Sequence, residues 1–197
     1  MKEEKLDSIL NTTILNLKSK KITDVFCISE SYWETDVREI YDTKTDKIVS
    51  SKVFDQNVFT LYVFWKENAK VYIQKFDHLN KFKPIELHDF GLFDMIKNNL
   101  SKIKKEKVLP YQIRIGFRKV TLNHVPAIQQ KIYFCDENEV LRKEFQEYYL
   151  VNTDYDDGSN KNLNFKYNSK LKIIEIYNVC KSKIKEAEDN KLFHIVE

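Results

Sequence analysis

Glycine is scarce in this sequence: Gly91, Gly116 and Gly158 are its three occurrences in 197 residues. A phosphate-cradling loop needs several glycines close together so that backbone amides can approach the anion. The P-loop and the dinucleotide-binding fingerprint are therefore excluded, and the GxSxG elbow of α/β-hydrolases is absent as well. Cysteine is equally sparse. Cys27, Cys135 and Cys180 are odd in number and far apart, which excludes a disulfide framework and any CxxC motif. Cys27 and Cys135 fall in apolar strand-like runs and Cys180 on the apolar stripe of an expected helix, so all three are expected as buried, inert thiols. Long apolar runs are missing too. The longest nearly apolar stretch, Val58 to Trp65, is far short of the roughly 20 residues a bilayer span needs. The start, Met1-Lys-Glu-Glu-Lys, leads into an amphipathic stretch rather than a signal-type apolar core. A soluble, cytoplasmic protein with no membrane partner is expected.

Clustered ligands are also lacking. His78, His88, His124 and His194 form neither HxH nor HxxxH pairs, so no metal and no cofactor are expected. The acidic stretch Asp154-Tyr-Asp-Asp-Gly158 places its glycine fifth, and Phe165 stands where a calcium loop has its twelfth-position glutamate. It reads as a solvated turn. Asp42-Thr-Lys44 has the residue types of carboxylate–lysine nuclease chemistry but falls in an expected hairpin loop rather than on a strand. The matches to glycosylation acceptors, Asn11-Thr-Thr13 and Asn99-Leu-Ser101, fall inside expected helices. No catalytic residue can be picked out, and an enzyme is not the favoured reading.

What is present is a globular composition, with 42% hydrophobic, 13% aromatic and 32% charged residues. Lysine far outnumbers arginine, whose positions are Arg38, Arg114, Arg118 and Arg142. With abundant asparagine and isoleucine, this bias suits an AT-rich genome.

Hydrophobic periodicity predicts a helix over 3–17, where Leu6, Ile9, Leu10, Ile14 and Leu17 share one face. From 23 to 76 the pattern becomes a β-meander. Strands are expected at Asp24–Trp33, Val37–Tyr41, Lys47–Phe54, Val58–Lys66 and Lys70–Phe76, with hairpin loops at 42–46 and 67–69. Val58–Trp65 is apolar on both faces and belongs at the centre of an antiparallel sheet. A mixed helix and strand half spans 88–196. Asp89 is the expected N-cap of a helix with Leu92, Phe93, Ile96, Leu100 and Ile103 on one face. A strand follows at Tyr111–Leu122, broken or bulged near Gly116, then another at Ile128–Cys135. Asp136 with Glu139 suggests a capped helix carrying Leu141, Phe145, Tyr148 and Tyr149, with a strand over 140–151 as the competing reading. Leu163, Phe165 and Tyr167 alternate as in a short strand. Ser169 is the expected cap of a last helix with Ile173, Ile174, Tyr177, Cys180, Ile184 and Ala187 inside. Leu192–Val196 is a candidate terminal strand. The sum is a single α+β domain, 1–197, with an antiparallel sheet packed by three or four helices.

The strongest positive feature is charge. Between Lys97 and Lys119, six lysines and two arginines stand against one acid, Glu106, an excess of +7 in a chain whose net charge is +3. Lys102, Lys104, Lys105, Lys107, Arg114, Arg118 and Lys119 form a candidate surface for an anionic partner. Tyr111 and Phe117 interleave with these cations, as in nucleic-acid-binding segments. Arg114-Ile-Gly-Phe does not match an RNA-recognition strand, because Ile115 separates cation from glycine and Arg118 follows the aromatic. Lysines at a helix C-terminus also stabilise its carbonyl end, which is the bland account. Eleven tyrosines favour interfaces, since each combines apolar area with a polar tip. The favoured function is a non-enzymatic binding protein, of inhibitor or immunity type, with another protein as partner. Nucleic-acid binding through 97–119 is the second reading, and an enzyme whose site is assembled from dispersed residues is the third.

Overall fold

The computed structural model describes residues 3–42, 47–122, 128–135, 139–153 and 161–196, with 3, 4, 33–42 and 47–57 as backbone only. Of the expected hairpin loop at 42–46, Asp42 ends a strand and 43–46 lie outside the described residues, as do Asp136, His124 and the acidic stretch 154–160.

An antiparallel six-stranded sheet forms the centre, in the order β4-β3-β2-β1-β7-β8. Its strands are β1 (Val25–Asp42), β2 (Lys47–Glu67), β3 (Lys70–Asp77), β4 (Ile85–Leu87), β7 (Gln129–Cys135) and β8 (Val140–Gln146). A separate two-stranded sheet joins β5 (Gln112–Ile115) to β6 (Arg118–Thr121). The described helices are α1 (Glu3–Ser19), α2 (Leu92–Lys105), the single turn α3 (Phe165–Asn168) and α4 (Lys172–Asp189). The chain is thus α+β, built on an N-terminal meander. No helix among the described residues is long and apolar enough to cross a membrane.

Side-chain alternation along the strands gives the sheet two apolar faces. Phe26, Ile28, Phe64, Ile73, Ile132 and Phe134 pack under α2 and α4. Val25, Cys27, Leu61, Val63, Trp65 and Tyr133 pack under the Leu6, Leu10, Ile14 and Leu17 face of α1. The residues 61–65 are therefore central and buried, as their two-sided apolar pattern requires.

Several elements differ from the sequence pattern. The expected strands at 24–33 and 37–41 are one strand, β1, and those at 47–54 and 58–66 are one strand, β2; they pair from Val25↔Trp65 to Asp42↔Lys47. β7 reaches only Ser31, and β3 only Thr60, so the far half of the hairpin is a two-stranded ribbon beyond the sheet. The segment 140–146 is a strand rather than a helix, because pairing with β7 satisfies seven residues of backbone that β7 would otherwise leave open. Residues 165–168 are helical rather than extended. Here the Asn162 side chain anchors to the carbonyls of Tyr149 and Val151 and receives the Asn164 amide, turning the chain before Phe165.

Caps differ as well. Gly91, with φ +72°, occupies the N-cap of α2, while Asp89 accepts the Gly91 amide at 2.8 Å and pairs with Lys66. The Lys66 ammonium and the Gly91 amide hold the Asp89 carboxyl below its ordinary range. Ser169 donates to the Lys166 carbonyl and does not cap α4, whose N-cap is Leu171. The 192–196 segment makes only an isolated bridge, Phe82↔Ile195, in place of a strand.

Candidate functional site

Gly116 does not bulge one long strand; it turns two short ones. Ile115 pairs with Arg118, leaving Gly116-Phe117 as a two-residue loop, and Gly116 takes φ +58°, a conformation that costs glycine nothing. The base of this hairpin is anchored. Tyr111, fully buried, stacks on Tyr148 with centroids 4.4 Å apart and planes at 12°. Ile113 packs with them. Asn168 donates to the Leu109 carbonyl and accepts the Leu109 amide, both at 2.9 Å, and Asn164 donates to the Pro110 carbonyl at 2.8 Å. The Leu163 amide donates to the Gln112 carbonyl at 2.8 Å. Tyr111 is therefore a structural anchor and is not available to a partner.

The tip is the opposite environment. The Phe117 side chain is completely exposed, with a relative accessibility of 108%, and Ile115 is 60% exposed. Arg114, Arg118 and Lys119 are exposed and have no hydrogen-bond or ion-pair partner among the described residues. Arg114 and Lys119 lie directly opposite each other across the ladder. Side chains so placed have Cβ atoms about 5 Å apart, and like charges there repel. The hairpin thus presents an aromatic ring, an aliphatic side chain and three uncompensated cations on a rigid base.

The other four candidate residues lie at the end of α2. Lys102 is exposed on the helix. Lys104, Lys105 and Lys107 line an open concavity of about 290 Å³ together with Arg142, Lys143 and Glu144. Three of these cations have partners, while Lys105 and Lys107 have none among the described residues. Lys104 pairs with Glu139 at 2.6 Å and Arg142 with Glu144 at 2.8 Å. Lys143 donates to the carbonyls of Lys104 and Glu106, both at 2.8 Å, closing the C-terminal end of α2, and burial pushes its ammonium pKa down. The candidate surface is therefore divided between the end of α2, where Lys104 is paired while Lys102, Lys105 and Lys107 are not, and a hairpin tip with no ion pair among the described residues.

A polar cluster that no sequence spacing signals lies between the sheet and α4. Lys181 pairs with Glu30, which also accepts from Gln130 at 3.2 Å. Tyr62 donates to Glu188 at 2.9 Å and Lys75 pairs with the same carboxylate at 2.7 Å. Burial and Glu188 raise the Tyr62 phenol far above its ordinary range. Buried Tyr177 Oη and Gln130 Oε1 have no hydrogen-bond partner among the described residues. Each carboxylate is thus paired with a lysine. His88 is exposed. Among the described residues no group of histidine, cysteine and acidic side chains is placed to hold a metal.

The chain matches no protein-family model, and comparison with curated proteins and with solved structures yields no significant match.

Proposed function

We propose that this chain is a non-catalytic binding protein that docks on another macromolecule through the tip of the β5–β6 hairpin. One observation carries the reading. A fully exposed phenylalanine is held by an anchored hairpin among three cations that have no partner among the described residues. An aromatic ring wholly in water contributes nothing to folding and gains by burial elsewhere. Aromatic and arginine side chains are the residue types that dominate binding energy at macromolecular contacts.

Tyrosine content supports this less than the tip does. Tyr62, Tyr111, Tyr133, Tyr148 and Tyr177 are buried and fill the core. A cytoplasmic setting goes with the proposal, since the three cysteines are free and buried, as suits a reducing compartment.

The test is photo-crosslinking in cells. A benzophenone amino acid at position 117 gives a discrete macromolecular adduct, and replacing Arg114, Arg118 and Lys119 with glutamate abolishes it. The control places the same group at Lys185, an exposed position on α4. Equal adduct yields from 117 and 185 would show that the tip is no docking site.

A further inference from the structure

We infer that the partner of this tip is single-stranded nucleic acid; the inference rests on the docking reading above. Two features select phosphodiester and base over other anionic surfaces.

The first is the Arg114–Lys119 pair. Two cations in register on adjacent strands, with no carboxylate answering them among the described residues, carry a repulsion that folding does not relieve. An oxyanion seated between them removes it. A phosphodiester suits that position: its charge is shared by two oxygens, one for the guanidinium and one for the ammonium. Arg118 adds a third cation near the turn, on the opposite face of the ladder from Lys119.

The second is Phe117. It lies about two residues beyond the Arg114–Lys119 pair, so roughly 7 Å further along the ribbon. A nucleotide whose phosphate sits on the pair can reach the ring with its base. Stacking needs an open π-face on the base, which a single strand offers and a duplex does not. A protein partner would instead need an apolar pocket deep enough to take the ring, with acids at its rim. Such a pocket accepts leucine in place of phenylalanine, whereas stacking requires an aromatic. Every base has a π-face, so binding is tolerant of sequence. With one phosphate on the Arg114–Lys119 pair and a second on Arg118, affinity falls roughly sevenfold when salt rises about fourfold.

Fluorescence anisotropy of labelled oligouridine and oligothymidine, each of about twelve nucleotides, tests this against a duplex of equal length. Both single strands bind more tightly than the duplex. Arg114→Ala with Lys119→Ala weakens binding about tenfold or more. Phe117→Ala does so as well, Phe117→Trp restores affinity, and Phe117→Leu does not. These side chains are exposed, so thermal melting reports each variant as folded as the parent. The inference fails if about 100 µM protein gives no anisotropy change at low salt. It fails equally if leucine at 117 binds as well as phenylalanine. A protease-sensitive adduct at position 117 without oligonucleotide binding leaves docking standing and replaces the nucleic acid with a protein. Loss of both the adduct and oligonucleotide binding removes both readings.

Discussion

The carboxylate of Glu106 caps a helix 66 residues away: Oε2 accepts the amide of Ile173 at 2.9 Å, and Oε1 accepts that of Lys172 at the same distance. Glu106 follows α2 directly and is buried. It supplies both acceptors and negative charge to the start of α4, where the N-cap Leu171 has no side-chain cap hydrogen bond to offer. Lys143 closes the end of α2 from the other side. Glu106→Ala is expected to lower stability by about 1–2 kcal/mol, since two amides lose their acceptors away from water. Glu106→Gln should cost less, because the amide oxygen still accepts one bond. Urea denaturation compares the three proteins.

The turn joining β2 to β3 has an alanine where its backbone favours glycine. Asn68 and Ala69 have φ of +51° and +63°, and Glu67 pairs with Lys70, so both central residues of a two-residue hairpin loop are left-handed. Asparagine tolerates this conformation, while alanine is strained by its Cβ. Ala69→Gly is expected to raise stability by roughly 0.5–1 kcal/mol, or about 2 °C in Tm. Differential scanning calorimetry reads the shift, and a lower Tm would contradict the strain.

Asp77 confers a pH dependence of known sign. Partial burial pushes its carboxyl pKa upward, but the amides of Leu79 and Asn80, at 2.8 and 2.6 Å from Oδ1, outweigh burial and leave it below the ordinary value. A carboxyl whose pKa is lower folded than unfolded adds stability above the unfolded value, near pH 4, and loses it as pH falls through the folded one. Asp77→Ala is therefore expected to cost about 1 kcal/mol at neutral pH. The gap from the parent should narrow below about pH 4. Urea midpoints at neutral and acid pH test this.

All three thiols should resist modification in the folded protein. Burial pushes the thiol pKa of Cys27 and of Cys180 upward, and Cys135 adds a hydrogen bond that raises Cys27 further. Cys135 is itself buried. A thiolate-specific reagent at mildly alkaline pH should label none of the three until denaturant is added. Rapid labelling of native protein would show that one of these sites opens.

What could be read before folding was periodicity. The apolar faces of α1 and α4, the two-sided apolar run at 58–65 and the strand preceding Cys135 carry their pattern within a few residues, so spacing alone determined them. The cation-rich window was legible for the same reason, being contiguous in the chain. Position in space was not. Whether 140–146 was helix or strand depended on the open edge of β7, which a local window does not contain. The split of the cations followed from partners elsewhere: Glu139 takes Lys104, while nothing among the described residues takes Arg114 or Lys119. Glu30 and Lys181 meet across 151 residues, and Glu106 reaches Ile173 across 67. Such contacts leave no spacing in the sequence because each is created by two elements packing. Local pattern thus determined which faces are buried; only the tertiary structure decided which charges remain for a partner.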